Sequence, residues 1–206
     1  MNFILPQEYD QYRYLHVSQS VVDPEQYKIM CESEWNVIKN HIKNPQKVLE
    51  LGCGLGRMSI FINSMLKNNA HYILADSNGS WSGIKFGWNP VKKYYNDLNA
   101  TSNFAVLNGL QNFSIFDLET NHLSDLSEID LVISFLAVGF HFPIENYLEK
   151  LLDITTKNVT MIFGVRVGQY KIKDFNRYFN NILLLKQDGR INTKEDLLIL
   201  MGKNDI

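Results

Sequence analysis

Cysteine is nearly absent from this chain. Only Cys31 and Cys53 occur, far apart and in no C-x-x-C pair, which argues against a disulfide framework or a zinc site. Long apolar runs are missing too. The longest, residues 131–142, is broken by Ser134, Gly139 and His141 and falls short of the ~20 residues that span a bilayer. No membrane insertion is expected. Neither sign of charge dominates, with 20 Lys and Arg against 22 Asp and Glu. A chain without a general basic field has little to attract a phosphate backbone, so no nucleic-acid partner is expected. Residues 1–8 lack a basic stretch followed by a long apolar one, so a secretory signal is not expected. The expectation is a reduced, cytoplasmic protein acting on a small molecule, with a homodimer left open. No repeat or low-complexity linker divides the chain, and 206 residues suffice to bury a core as one domain.

What is present is alternation. Residues 47–51 form a short apolar run ending in glycines, the pattern of a buried strand. Residues 57–67 carry apolar side chains at helical spacing, including Met58, Phe61 and Met65, which are expected in the core. Further strands are expected over 71–75, 113–116, 129–134 and 158–165, and helices over 102–111 (capped by Ser102), 144–154 and 173–179. Residues 181–186 and 196–201 read as two strands joined by a turn. Residues 79–100 follow neither period. Strands alternating with ten-residue helices imply an α/β domain. The sheet would be Rossmann-like, doubly wound and seven-stranded, mostly parallel with an antiparallel C-terminal strand. Residues 46–206 would form this core. Residues 1–45, with a helix over 25–43 and a tyrosine-rich stretch before it, would lie as a cap across the sheet's carboxyl edge.

The sharpest motif is Val48-Leu-Glu-Leu-Gly-Cys-Gly-Leu-Gly56. Ligands of open α/β sheets bind at the strand carboxyl ends, at a topological switch point. A loop there needs glycine for its backbone angles and for close approach of a ligand. The same layout binds NAD, through G-x-G-x-x-G and a pyrophosphate at a helix N-terminus. Here Glu50 stands just before the first glycine. A carboxylate opposes a pyrophosphate and suits a zwitterionic amino acid.

These residues resemble the first motif of class I S-adenosylmethionine-dependent methyltransferases, E/D-x-G-x-G-x-G. The resemblance spans about residues 46–202. It implies that Glu50 and the backbone of Gly52, Cys53, Gly54 and Gly56 hold the methionine part of S-adenosylmethionine. It implies that Asp76, with Ser77 beside it, holds the ribose hydroxyls, and that Asp117 or the backbone of Leu118 meets the adenine amine. Ser134, ending the fourth strand, completes the cofactor set. Plain turn or cap roles stay open for the glycines, Asp76 and Asp117. Cys53 reads as a small loop residue, not a nucleophile.

On the acceptor side the segment 134–143 lacks the Asn/Asp-Pro-Pro-Tyr motif of many nucleic-acid and protein amide methyltransferases. It carries an aromatic loop with His141, a residue type suited to taking a proton from a hydroxyl near neutral pH. His16 is the reserve base, and a bracing role for His141 stays open. Tyr12, Tyr14, Trp81, Trp88, Tyr94 and Tyr95, with Phe140, could wall a pocket for a flat polar ring, or form a small structural core. The order of short motifs also resembles sugar O-methyltransferases of bacterial polysaccharide gene clusters. That resemblance implies O-methylation of a sugar or sugar nucleotide. Methylation of another small metabolite, a cofactor-binding protein without chemistry and an NAD-dependent oxidoreductase are the alternatives. No metal cluster is legible, so metal-independent transfer is expected.

Overall fold

The computed structural model describes residues 1–12, 23–81, 94–186 and 195–204. Seven strands form one sheet: β1 (Lys47–Leu51), β2 (His71–Asp76), β5 (Phe113–Asp117), β6 (Ile129–Ser134), β7 (Thr155–Arg166), β8 (Phe179–Leu185) and β9 (Glu195–Lys203). Between β2 and β5, β3 (Gly79–Trp81) and β4 (Tyr94–Asn96) pair as a short antiparallel ribbon. The helices are α1 (Pro24–Ile38), α2 (Arg57–Leu66), α3 (Leu98–Leu107) and α4 (Glu145–Ile154).

The sheet order is β5-β2-β1-β6-β7-β9-β8. Five strands run parallel, and β9 runs antiparallel to both β7 and β8. The chain winds outward from β1 through β2 to β5, then returns to β6 on the other side of β1. The carboxyl ends of β1 and β6 therefore flank the switch point.

Alternation along the strands sends side chains to two cores. Val48, Tyr72, Leu74, Leu131, Ile133 and Ile162 pack with α1, α2 and α3. Leu49, Leu51, Ile73, Val132, Met161 and Phe163 pack with α4 and the 170–179 segment. On α2, Met58 and Phe61 are buried and each contributes about 1.5–3 kcal/mol of burial. Met65, expected in the core, is exposed: α2 ends one residue later, at Leu66, and Lys67 turns left-handed.

Several expectations are corrected. The third helix starts earlier than 102–111, because Asp97, not Ser102, caps it by accepting the N–H groups of Asn99 and Ala100. The helix expected over 173–179 is a single 3-10 turn, Ile172–Asp174, followed by β8. Phe175 and Phe179 stand four apart and are both buried, which mimics helical spacing, but Phe179 already pairs with Lys203 of β9. The N-terminal helix is opened by a capping box of Asp23 and Gln26 and stops at Ile38. The cap expected over residues 1–45 falls partly outside the described residues, which include 1–12 and 23–45 of it. Phe3, Tyr9, Tyr27, Cys31, Trp35 and Ile38 join the core beneath α2 and α3. An aromatic cluster with Phe104 of α3 anchors them there, its ring centroids 5.1–6.4 Å apart. Among the described residues no helix is long and apolar enough to cross a membrane.

Candidate active site

β1 ends at Leu51 and the chain turns through Gly52-Cys53-Gly54-Leu55-Gly56 into α2. Each glycine answers a different constraint. A Cβ on Gly52 would lie 2.2 Å from Cβ of Ala137, in the loop after β6. A Cβ on Gly56 would press Leu74 at 3.1 Å, where α2 meets the sheet. Among the described residues, a Cβ on Gly54 would meet no atom within 4 Å beyond its chain neighbours, although its φ of +53° also favours glycine. The open side of Gly54 is where a ligand can approach the backbone.

Four of the loop's N–H donors, those of Gly52, Cys53, Gly54 and Gly56, are committed inside the protein. Gly52 and Cys53 both donate to the Ala75 carbonyl at 2.8 and 3.2 Å, and Gly56 donates to Cys53 at 2.8 Å. Gly54 donates to Oδ2 of Asp76 at 2.8 Å, and Thr101 Oγ1 of α3 donates to the Gly54 carbonyl at 2.6 Å. Gly56 carries no capping side chain for α2. Glu50 supplies one from β1, accepting the Ser59 N–H in the first helical turn at 3.1 Å. The positive end of α2 is thus already met by a carboxylate. The Glu50 side chain turns beneath α2 and braces the loop from below.

Burial pushes the Glu50 carboxyl up to about 7, against the Ser59 hydrogen bond and the Arg57 charge, which favour ionisation. The sign of the consequence follows from linkage. A carboxyl that binds its proton more tightly when folded adds stability below its unfolded value, and that stability is lost as pH rises through about 7. Glu50→Gln keeps an acceptor for Ser59 and removes the buried charge. Thermal melts should show it unchanged at pH 5 and more stable than the parent at pH 8, by up to a few kcal/mol. A variant whose stability tracks the parent across that range would refute this assignment.

Asp76 ends β2 beside the loop. Its Oδ2 receives Gly54 and its Oδ1 receives the Ser77 N–H, both at 2.8 Å. Burial pushes its carboxyl up to about 6, opposed by those two N–H groups and by Asn96, and assisted by the charge of Asp117. A carboxylate held short of full solvation gains from further donors such as a vicinal diol. Asp117 ends β5 as the Cα partner of Asp76. Its Oδ1 accepts Glu119 N–H at 2.9 Å, an Asx turn. The Leu118 N–H, a candidate for an adenine contact, is spent on the Asp76 carbonyl at 3.0 Å. Ser134 is likewise spent. Its hydroxyl donates to Leu51 at 2.7 Å and accepts from Val138 at 2.9 Å, tying β6 to β1. Burial raises the Cys53 thiol well above its ordinary range, which keeps it protonated and unreactive.

The loop after β6 folds back tightly. The N–H groups of Phe140, His141 and Phe142 all donate to Ala137, and Gly139, at φ +93°, donates to Phe142. His141 is buried, with its ring edge-on to Phe140 at 5.0 Å. Phe140, expected in the pocket wall, is itself buried beneath Arg166. That guanidinium lies 4.9 Å from the ring centroid, and its Nε donates to the Phe140 carbonyl at 3.0 Å. Tyr12 is half-buried and packs on the core under α1. Tyr14, His16 and Trp88, and the side chains of Trp81, Tyr94 and Tyr95, lie outside the described residues.

Arg166 and Glu195 were not legible as site residues. Arg166 ends β7 and Glu195 opens β9 as its Cα partner. The Glu195 carboxylate occupies the space of a Gly164 side chain, 1.6 Å from where that Cβ would stand. The signal in the sequence was charge at the edge of an apolar run, Arg166 after residues 161–165 and Glu195 with Asp196 before residues 197–201. The strand pairing alone brings the two together.

No family model and no curated protein matches the chain. Solved structures do match. A methyltransferase from Geobacter sulfurreducens aligns over 88% of this chain and 80% of its own, with TM-score 0.55 and 15% identity. A SAM-dependent O-methyltransferase from Thermotoga maritima aligns over 93% and 69%, with TM-score 0.59 and 10% identity. A precorrin-6y C5,15-methyltransferase from Geobacter metallireducens aligns over 95% and 96%, with TM-score 0.56 and 11% identity. The chain shares its fold with these methyltransferases.

Proposed function

We propose that this chain is an S-adenosylmethionine-dependent methyltransferase that transfers the methyl group to a hydroxyl of a small polar acceptor, a sugar or sugar nucleotide. One observation carries the cofactor assignment. The glycine loop offers an open backbone face at Gly54, while the Gly54 N–H is already met by Asp76 and the Ser59 N–H, in the first turn of α2, by Glu50. A dinucleotide loop must keep such donors free for a pyrophosphate. A sulfonium amino acid needs instead a glycine-lined channel with carboxylates behind it. The Thermotoga maritima neighbour, a SAM-dependent O-methyltransferase, supports the same reading.

When bound, S-adenosylmethionine supplies an electrophilic methyl group. The protein's task is to bind, align and dehydrate. Asp76 accepts the ribose hydroxyls, and Gly54 lets the methionine part approach. Asp117, at the adjoining strand end, faces the adenine side. The β6 loop, pressed on Gly52 through Ala137, fixes the acceptor against the cofactor, because in-line displacement depends on alignment. His141 in that loop takes the acceptor proton. Arg166 and Glu195, at the neighbouring strand ends, supply charge for a polar acceptor.

Asp76→Ala should remove a charge-assisted hydrogen bond worth about 1.5–3 kcal/mol. Affinity for S-adenosylhomocysteine should fall roughly 10- to 150-fold. Calorimetry on the folded variant checks this, and parent-like affinity would refute the ribose assignment. For the acceptor, the deciding experiment is a transfer assay with methyl-labelled S-adenosylmethionine against a panel of sugars and sugar nucleotides. Label should enter the sugar as an alkali-stable ether. Label appearing only in amine or carbon acceptors would overturn the O-methylation reading.

A further inference from the structure

Arg57 is the first residue of α2, directly after Gly56, and it joins three parts of the molecule. Its guanidinium grips Glu34 of α1 with two parallel contacts, Nη1 to Oε2 at 2.5 Å and Nη2 to Oε1 at 2.8 Å. Nη1 also lies 3.5 Å from Sγ of Cys31, whose thiol in turn points at the Arg57 carbonyl at 3.9 Å. On its other side the guanidinium lies 5.9 Å from the ring centroid of Phe135, the first residue after β6. Glu34 and Arg57 keep only 9% and 11% of their side-chain surface exposed.

A buried ion pair is a weak way to hold two helices together. Desolvation offsets much of the Coulomb attraction, and a well-packed apolar pair commonly holds as well or better. A bidentate Arg–carboxylate pair gives geometry instead, because the planar fork fixes distance and direction at once. Here the fork sits one residue beyond the glycine loop. It is aimed at the N-terminal helix and flanked by the start of the acceptor loop.

We propose that Arg57 and Glu34 are a positioning pair that couples the N-terminal helix to the cofactor loop, so that filling the loop fixes α1 and Phe135 at the acceptor side. The inference rests on the reading of the glycine loop as the cofactor site. Ligand on Gly54 restrains residues 52–56. Arg57 follows without an intervening residue and passes that restraint to Glu34. Coupling is reciprocal, so a helix held by the pair also favours the binding-competent loop.

The test compares the parent with the apolar double variant Glu34→Leu/Arg57→Met and with Arg57→Lys, which keeps the charge but loses the fork. Three quantities are read: melting temperature, S-adenosylhomocysteine affinity, and hydrogen exchange of residues 24–38 with and without that ligand. In the parent, the ligand should slow exchange across 24–38. The double variant should melt within a few degrees of the parent, bind the ligand about 5- to 150-fold more weakly, and show no ligand-induced protection of 24–38. Arg57→Lys should shift in the same direction by less, and gives the answer if the double variant does not fold. A variant that loses melting temperature yet keeps parent-like affinity and protection would make the pair merely structural. So would a parent whose helix gains no protection on binding. A parent that binds no S-adenosylhomocysteine would instead overturn the cofactor reading itself, before any variant is compared.

Discussion

Gly54→Val is expected to abolish binding of S-adenosylhomocysteine while leaving the sheet folded. Two effects combine. The new side chain enters the space beside the loop where, among the described residues, no atom beyond the chain neighbours lies within 4 Å, the space assigned to the ligand. It also forces a β-branched residue into a left-handed backbone at φ +53°, which costs about 1–3 kcal/mol. The second effect alone lowers the melting temperature by roughly 2–12 °C for a domain of this size. The first should reduce affinity by about 100-fold or more, equivalent to about 2.7 kcal/mol. Circular dichroism and calorimetry on the same sample separate the two. Normal binding by a folded variant would mean that the glycines serve the turn alone. Gly52→Val would be less informative, since its clash with Ala137 is internal.

His141→Gln is expected to leave cofactor affinity within a few-fold of the parent and to lower turnover by about 100-fold or more, the contribution of a positioned base. The residue sits in a loop closed by three hydrogen bonds to Ala137, and glutamine can keep the backbone pattern. An equal loss in turnover and turnover over KM would place the effect in the transition state. The alternative, in which the buried imidazole only braces the loop against Phe140, predicts a lower melting temperature with turnover close to the parent's.

The parallel core was legible because its strands carry apolar runs, three of them closed by Gly52, Asp76 and Asp117, and the helices after β1 and β6 show their own spacing. Glu50 and the glycines announced the loop for the same reason: few sequences place a carboxylate two residues before three alternating glycines. Other features depended on contacts distant in the chain. Asp97, not Ser102, caps α3, and the first turn it opens brings Thr101 to the Gly54 carbonyl and to Asn96. The 170–179 segment carries helical spacing, but pairing with β9 claims Phe179. The direction in which Glu50 points is set by the parity of β1, which sends it to the α2 side with Val48. The pairs Arg57–Glu34 and Arg166–Glu195 join residues 23 and 29 positions apart, and neither forms a motif that a linear reading could catch.

The central claim is that the loop at residues 52–56 holds a sulfonium amino acid nucleoside and not a dinucleotide. Calorimetric titration of the parent protein with S-adenosylhomocysteine and, separately, with NADH tests it directly. The account predicts saturable one-to-one binding of S-adenosylhomocysteine, lost in Gly54→Val, and no heat of binding with NADH. Saturable binding of NADH with none of S-adenosylhomocysteine would contradict it.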